Sequence, residues 1–216
     1  MPIRPVFLTL IIYIASISQA IENFKINQTD SDSQVSAFWK FSTEVYFYYL
    51  PEEDFYTMPI ISSDHGQLHL EARYNYEDSR SLSFFAGRTF SIGEKLQLEV
   101  IPMMGGVVGN TLGIIPALEF DLAYWNLEFY SEAEYVYDLQ DEQGNYFYNW
   151  ADLSYYPLAW LQLGISSQQT REKANDWFVE HGLLLGLNYR DYSLVSHLFN
   201  PGEDKQFYIL SGEISF

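Results

Sequence analysis

The chain has 216 residues and a formal net charge of −18, from 29 acidic against 11 basic side chains. That balance excludes a nucleic-acid binder, whose affinity rests on Lys and Arg neutralising phosphates, and it disfavours docking to anionic lipid through a basic patch. Cysteine is absent, as suits passage through an oxidising compartment, and aromatics make up 18% of residues, with 18 Tyr and 16 Phe, the material of strands. At the N-terminus Arg4 supplies a positive start, residues 6–17 a short apolar core, and Ser18-Gln19-Ala20 a small-x-small site. This pattern predicts a signal peptide over 1–20, cleaved after Ala20. A retained anchor is the alternative, but about twelve apolar residues are few for a span that needs about twenty. Cleavage would remove Arg4 as the only charged residue, leaving −19.

No later stretch runs apolar for about eighteen residues, so if the chain enters a membrane it does so with strands closed into a barrel. Period-two alternation recurs over 39–49, 67–76, 82–90, 95–104, 114–124, 127–137, 146–156, 160–168, 177–189, 192–199 and 207–216. Counting back from the C-terminus, the connections alternate. Residues 200–205 are long, Arg190-Asp191 short, 169–176 long, 157–159 short, 138–145 long, Trp125-Asn126 short, 105–113 long, 91–94 short and 77–81 intermediate. A soluble sandwich has no reason to alternate in this way, whereas membrane barrels carry short turns on one side and long loops on the other. The same parity demands an inward strand between 39–49 and 67–76. Residues 55–61 are the candidate, although Pro59 cannot donate to a ladder. Including them gives twelve antiparallel strands; ten is the alternative.

The end of the chain is the most specific segment. Tyr208, Leu210, Gly212, Ile214 and the terminal Phe216 share one face, with Ser211, Glu213 and Ser215 on the other. This resembles the closing strand of bacterial outer-membrane β-barrels. The resemblance implies an all-β transmembrane barrel over 35–216, a periplasmic N-terminal segment over 21–34 and an outer-membrane location. It also implies recognition by the barrel-assembly machinery through Phe216, and contact with lipid and lipopolysaccharide.

Alternation assigns an outward apolar face that includes Trp39, Phe41, Leu68, Leu118, Leu163, Leu183, Leu185 and Leu187. Aliphatics lie centrally and aromatics toward strand ends, as in a lipid-facing belt. The inward face is polar and acidic. It carries Glu44, His69, Glu71, Arg73, Glu119, Asp121, Glu128, Glu132, Glu134, Asp152, Glu180 and Glu213, with Lys40, Arg73 and Arg88 as the available bases. A two-residue turn at Trp125-Asn126 pairs Tyr124 with Leu127 and so sets Glu119 opposite Glu132, with Cβ atoms about 5 Å apart. Shared protons, a cation or the lumen bases must offset that repulsion.

The candidate ion-path residues are Glu71, Arg73, Glu119, Asp121, Glu128, Glu132 and Glu134. They suit a narrow channel for cations or small polar solutes, since rings of carboxylates concentrate cations. A closed barrel, structural or docking through its loops, is the alternative, with Tyr46, Tyr48, Tyr130 and Tyr148 packed across the lumen. An enzyme is not expected. Barrel lipases place His and Ser two apart on one strand, whereas Gln67, Glu71, Leu183 and Phe199 follow the four histidines here. No cofactor or metal motif is present: His65 and His69 are four apart in an extended segment, about 13 Å along the chain. The loop acids, Glu203-Asp204 among them, could take hard cations but lack a calcium-loop pattern. Gly105, Gly106 and Gly109 fall in an outer loop, and Gly164, Gly182 and Gly186 at inward strand positions that relieve crowding.

Overall fold

The computed structural model describes residues 38–51, 55–172 and 176–216. The expected signal peptide, its cleavage after Ala20 and the segment 21–34 lie outside the described residues. The strands are β1 (Lys40–Tyr49), β2 (Tyr56–His65), β3 (Leu68–Tyr74), β4 (Leu82–Arg88), β5 (Phe90–Ile92), β6 (Leu96–Val108) and β7 (Gly113–Tyr124). They continue with β8 (Leu127–Asp138), β9 (Tyr146–Leu158), β10 (Leu161–Glu172), β11 (Phe178–Tyr189), β12 (Tyr192–Phe199) and β13 (Phe207–Ser215). Each pairs antiparallel with its neighbours, β1 pairs β13, and β4 pairs β6, so the sheet closes on itself. Strand β5 continues β4 along β6, with Gly87 opposite Met103 and Phe90 opposite Val100 in unbroken register. The thirteen segments therefore occupy twelve positions around a closed barrel, as the parity of the turns requires.

The strand containing Pro59 is longer than its sequence suggests. It pairs with β1 from Tyr56 to Asp64, Val45 lying opposite Pro59, but its ladder with β3 begins only at Ile60–Arg73. The Asn75 side chain donates to the Thr57 carbonyl (3.1 Å), so the main chain of Thr57, and two residues on that of Pro59, faces β3 beyond the end of that ladder. The missing N–H costs no strand hydrogen bond there. At its other end β2 runs on to His65 and turns tightly at Gly66-Gln67, Gly66 taking a left-handed conformation (φ 65°).

Connections of two or three residues lie at one end of the barrel and connections of four to seven at the other. Two of the expected long loops are shorter than predicted. Strand β10 continues to Glu172, pairing with Tyr146 of β9. The glycine-rich stretch 105–113 is mostly strand, with Gly105 and Gly106 inside β6 and only residues 109–112 as connection. Gly105 faces Phe85 across the β4–β6 ladder, and a Cβ there would run into the aromatic ring. These glycines make room for a buried side chain, which a composition rule reads as a loop. Gly105→Ala should destabilise the barrel by about 1–3 kcal/mol through overpacking, read as a lower urea midpoint in lipid vesicles. An unchanged midpoint would mean that Phe85 moves aside freely.

Inside–outside alternation is clearest in β11, where Leu183, Leu185 and Leu187 are about half exposed while Leu184 is buried. Strand β13 closes against β1 through reciprocal main-chain bonds of 2.8 Å between Phe41 and Phe216, whose rings stack. The interior is less uniformly polar than expected. One apolar cluster joins Phe85, Ile101, Met103, Val107, Ile115, Ala117 and Val136. A second joins Tyr48, Met58, Trp150, Phe199, Phe207 and Ile209.

Candidate functional site: the barrel lumen

Strand alternation turns Glu71 and Arg73 of β3, Glu119 and Asp121 of β7, and Glu128, Glu132 and Glu134 of β8 to the inside. The Trp125-Asn126 turn sets Tyr124 opposite Leu127, Glu119 opposite Glu132 and Ala117 opposite Glu134. Arg73 answers this concentration of charge. Its guanidinium bonds Glu71 on its own strand and reaches across the lumen to Glu132. Nη1 also lies 3.3 Å from Glu134, and Nη2 lies 3.8 Å from Glu119. The rings of Tyr76 and Phe85 each lie 4.4 Å from its central carbon, a double cation–π arrangement. Tyr76 donates its hydroxyl to Glu132 (3.1 Å). At 1% exposure Arg73 bridges the wall at mid-height, one guanidinium against four carboxylates.

The other expected lumen bases do not take part. Lys40 is exposed at the first residue of β1, and Arg88 is exposed and bonded to Gln67 beside a tight turn. Each sits too near a strand end to reach the middle. Asp121 and Glu128 likewise remain apart from the Arg73 group, toward the short-turn end. Asp121 lies opposite Glu99 in the ladder, and Glu128 accepts from Tyr156 (3.4 Å). Glu44 and Glu213 oppose one another in the β1–β13 ladder, Tyr46 donating to Glu44 (2.9 Å).

His69 enters through a contact that linear spacing hid. The tight β2–β3 hairpin sets Asp64 directly opposite His69, and Asp64 accepts from Nδ1 at 2.8 Å. His65, the nearer residue in sequence, is exposed and packs on Trp39. Toward the long-connection end the lumen is lined by tyrosines. A cavity of about 310 Å³ lies among Tyr48, Tyr56, Tyr76, Tyr146 and Tyr148 together with Glu77, Glu134 and Gln168. A mouth of about 600 Å³ adjoins Gln168, Glu180, Asp204 and Lys205. Burial pushes the Glu77 carboxyl above its ordinary value. Its partners are the Ser83 hydroxyl, which donates to it, and the Tyr146 hydroxyl, which donates to its main-chain carbonyl (2.6 Å). On the same strand as Tyr146 and Tyr148, Trp150 packs edge-on against Tyr46, His197 and Phe199. His197 lies 3.4 Å from Asp152. The inward glycines fit this crowding: a Cβ at Gly186 would run into Gln162 and one at Gly182 would press on Phe199.

No family model and no curated protein matches the sequence. Solved structures do. A KdgM porin superposes with a TM-score of 0.59 at 13% identity, over 81% of this chain and 99% of that chain. A KdgM porin in complex with disordered oligogalacturonate gives 0.60 at 13% identity over the same shares. A NanC porin gives 0.58 at 12% identity, over 81% of this chain and 98% of that one. With a closed ring of twelve antiparallel positions and this likeness, the chain has the fold of a bacterial outer-membrane β-barrel of the porin kind.

Proposed function

We propose that the barrel is a narrow outer-membrane channel that favours cations or small polar solutes. The carrying observation is the imbalance at mid-lumen, where four carboxylates face one guanidinium. Glu44 and Glu213, opposed in the β1–β13 ladder, add two further inward carboxylates. Fixed carboxylates in a low-dielectric tube raise the local concentration of cations and repel anions. Oligogalacturonate, bound in one similar porin, is a chain of sugar acids and is disfavoured by such a lumen. On this reading residues 1–20 are a signal peptide, the short turns face the periplasm, and Phe216 serves recognition by the assembly machinery. The outer loops contact lipopolysaccharide, and the barrel transports without catalysing a reaction.

Planar-bilayer recording across a salt gradient tests the channel. The expected result is steady, cation-selective current, with Glu44→Gln and Glu213→Gln together moving the reversal potential toward zero. Anion preference would overturn the reading. One observation favours a second reading, a closed structural barrel: Arg73 and two clusters of apolar side chains are buried inside it. Silence from protein shown to have inserted would select it.

A further inference from the structure

The Arg73 group leaves one buried polar atom unexplained. His69 is 5% exposed, and its Nε2 has no hydrogen-bond partner among the described residues. Glu71 Oε2 lies 3.7 Å away, within ion-pair distance but beyond hydrogen-bond reach. A buried ring nitrogen without a partner carries a desolvation cost unless something binds it.

The surroundings indicate what would bind. One donor atom each from His69, Glu71 and Glu119 can be chosen so that all lie within 4.8 Å of one another. Arg73 occupies Glu71 Oε1, leaving Oε2 facing the imidazole. Asp64 accepts from Nδ1 at 2.8 Å, which orients the ring so that Nε2 faces the two carboxylates. A carboxylate behind a histidine whose other nitrogen faces further donors is the outer-shell arrangement of metal-binding histidines. The charge points the same way, because one guanidinium against four carboxylates leaves a deficit that a dication would reduce.

We propose that His69, Glu71 and Glu119 form a lumenal site for a divalent transition-metal ion of the zinc class. One imidazole and two carboxylates suit zinc, with water completing the shell, better than calcium or magnesium, which favour all-oxygen shells. The ion ties β3 to β7 beside the Arg73 bridge. The site stands on its donor atoms and does not require that the barrel conduct.

The test is calorimetric titration of zinc chloride into the refolded full-length barrel in detergent, with millimolar magnesium present. One saturable site per chain is expected, weakened at least about tenfold by His69→Gln and by Glu119→Gln, and by about 10–100-fold in Asp64→Asn, where orientation of the imidazole is lost. Cobalt should give a visible absorption band that His69→Gln abolishes. Glu119→Gln preserves shape, so it decides the matter if His69→Gln fails to refold. No saturable binding would overturn the proposal and leave His69 as an imidazolium between Asp64 and Glu71. Binding that persists unchanged in both variants would also overturn it, placing the zinc on loop carboxylates.

Discussion

Arg73→Ala should lower the stability of the barrel by about 3–5 kcal/mol, the cost of removing one partner from a buried ion cluster. The reason lies in what is left behind. Glu71, Glu132 and Glu134 are buried, Glu119 lies opposite Glu132, and the guanidinium is the positive charge that holds them together. Without it they must take up protons or draw in water, at a desolvation cost the wild-type pairing offsets. Arg73→Lys should recover only part of the loss. A single ammonium cannot make the forked contacts to Glu71 and Glu132 or lie flat between the Tyr76 and Phe85 rings. Glu132→Gln on the Arg73→Ala background should restore stability by relieving repulsion. The measurement is the urea midpoint of reversible unfolding in lipid vesicles. An unchanged midpoint would show that the carboxylates are already neutral in the native barrel. If the barrel conducts, the same variant should carry a larger current, since the bridge across mid-lumen is gone.

Trp150→Ala is expected to cost a similar amount, about 3–5 kcal/mol, by a different mechanism. The indole is the largest member of the aromatic wall. It meets Tyr46 at 6.2 Å, His197 at 5.0 Å and Phe199 at 5.5 Å between ring centroids. These partners sit on β1 and β12, and main-chain pairing in a closed barrel prevents those strands from collapsing into the void. Trp150→Phe keeps most of the contacts and should lose less than half as much. Should Trp150→Ala unfold at the wild-type midpoint, the vacated volume must be filled by water at no cost, and the wall is a vestibule lining and not a packed core.

Twelve strands, the antiparallel closure and the Glu119–Glu132 register follow from local rules applied to residue order. Side chains alternate with period two, and a two-residue turn leaves no freedom in the register of the strands it joins. The same parity requires β2 despite Pro59. Local rules fail where both faces of a strand are apolar. In 100–108 of β6, Val100 and Ile101 are both buried and the glycines mimic a loop, so periodicity assigns neither the face nor the end of the strand. The apolar lumen cluster was invisible for that reason.

The acidic inner wall is likewise legible from alternation, since Glu71, Glu119, Glu128, Glu132 and Glu134 each sit on a predictable face. Which of them meet is not. Arg73 lies 59 residues from Glu132, and whether a long side chain spans the lumen depends on the diameter and stagger of the closed barrel, quantities of the whole ring. The same holds for Asp64 and His69, neighbours only because β2 extends to His65 and turns at Gly66. Residue order determines the architecture, because each strand's face and each turn's length act locally. Closure alone decided which charges share the interior, because side chains from strands far apart in sequence meet only across the finished ring.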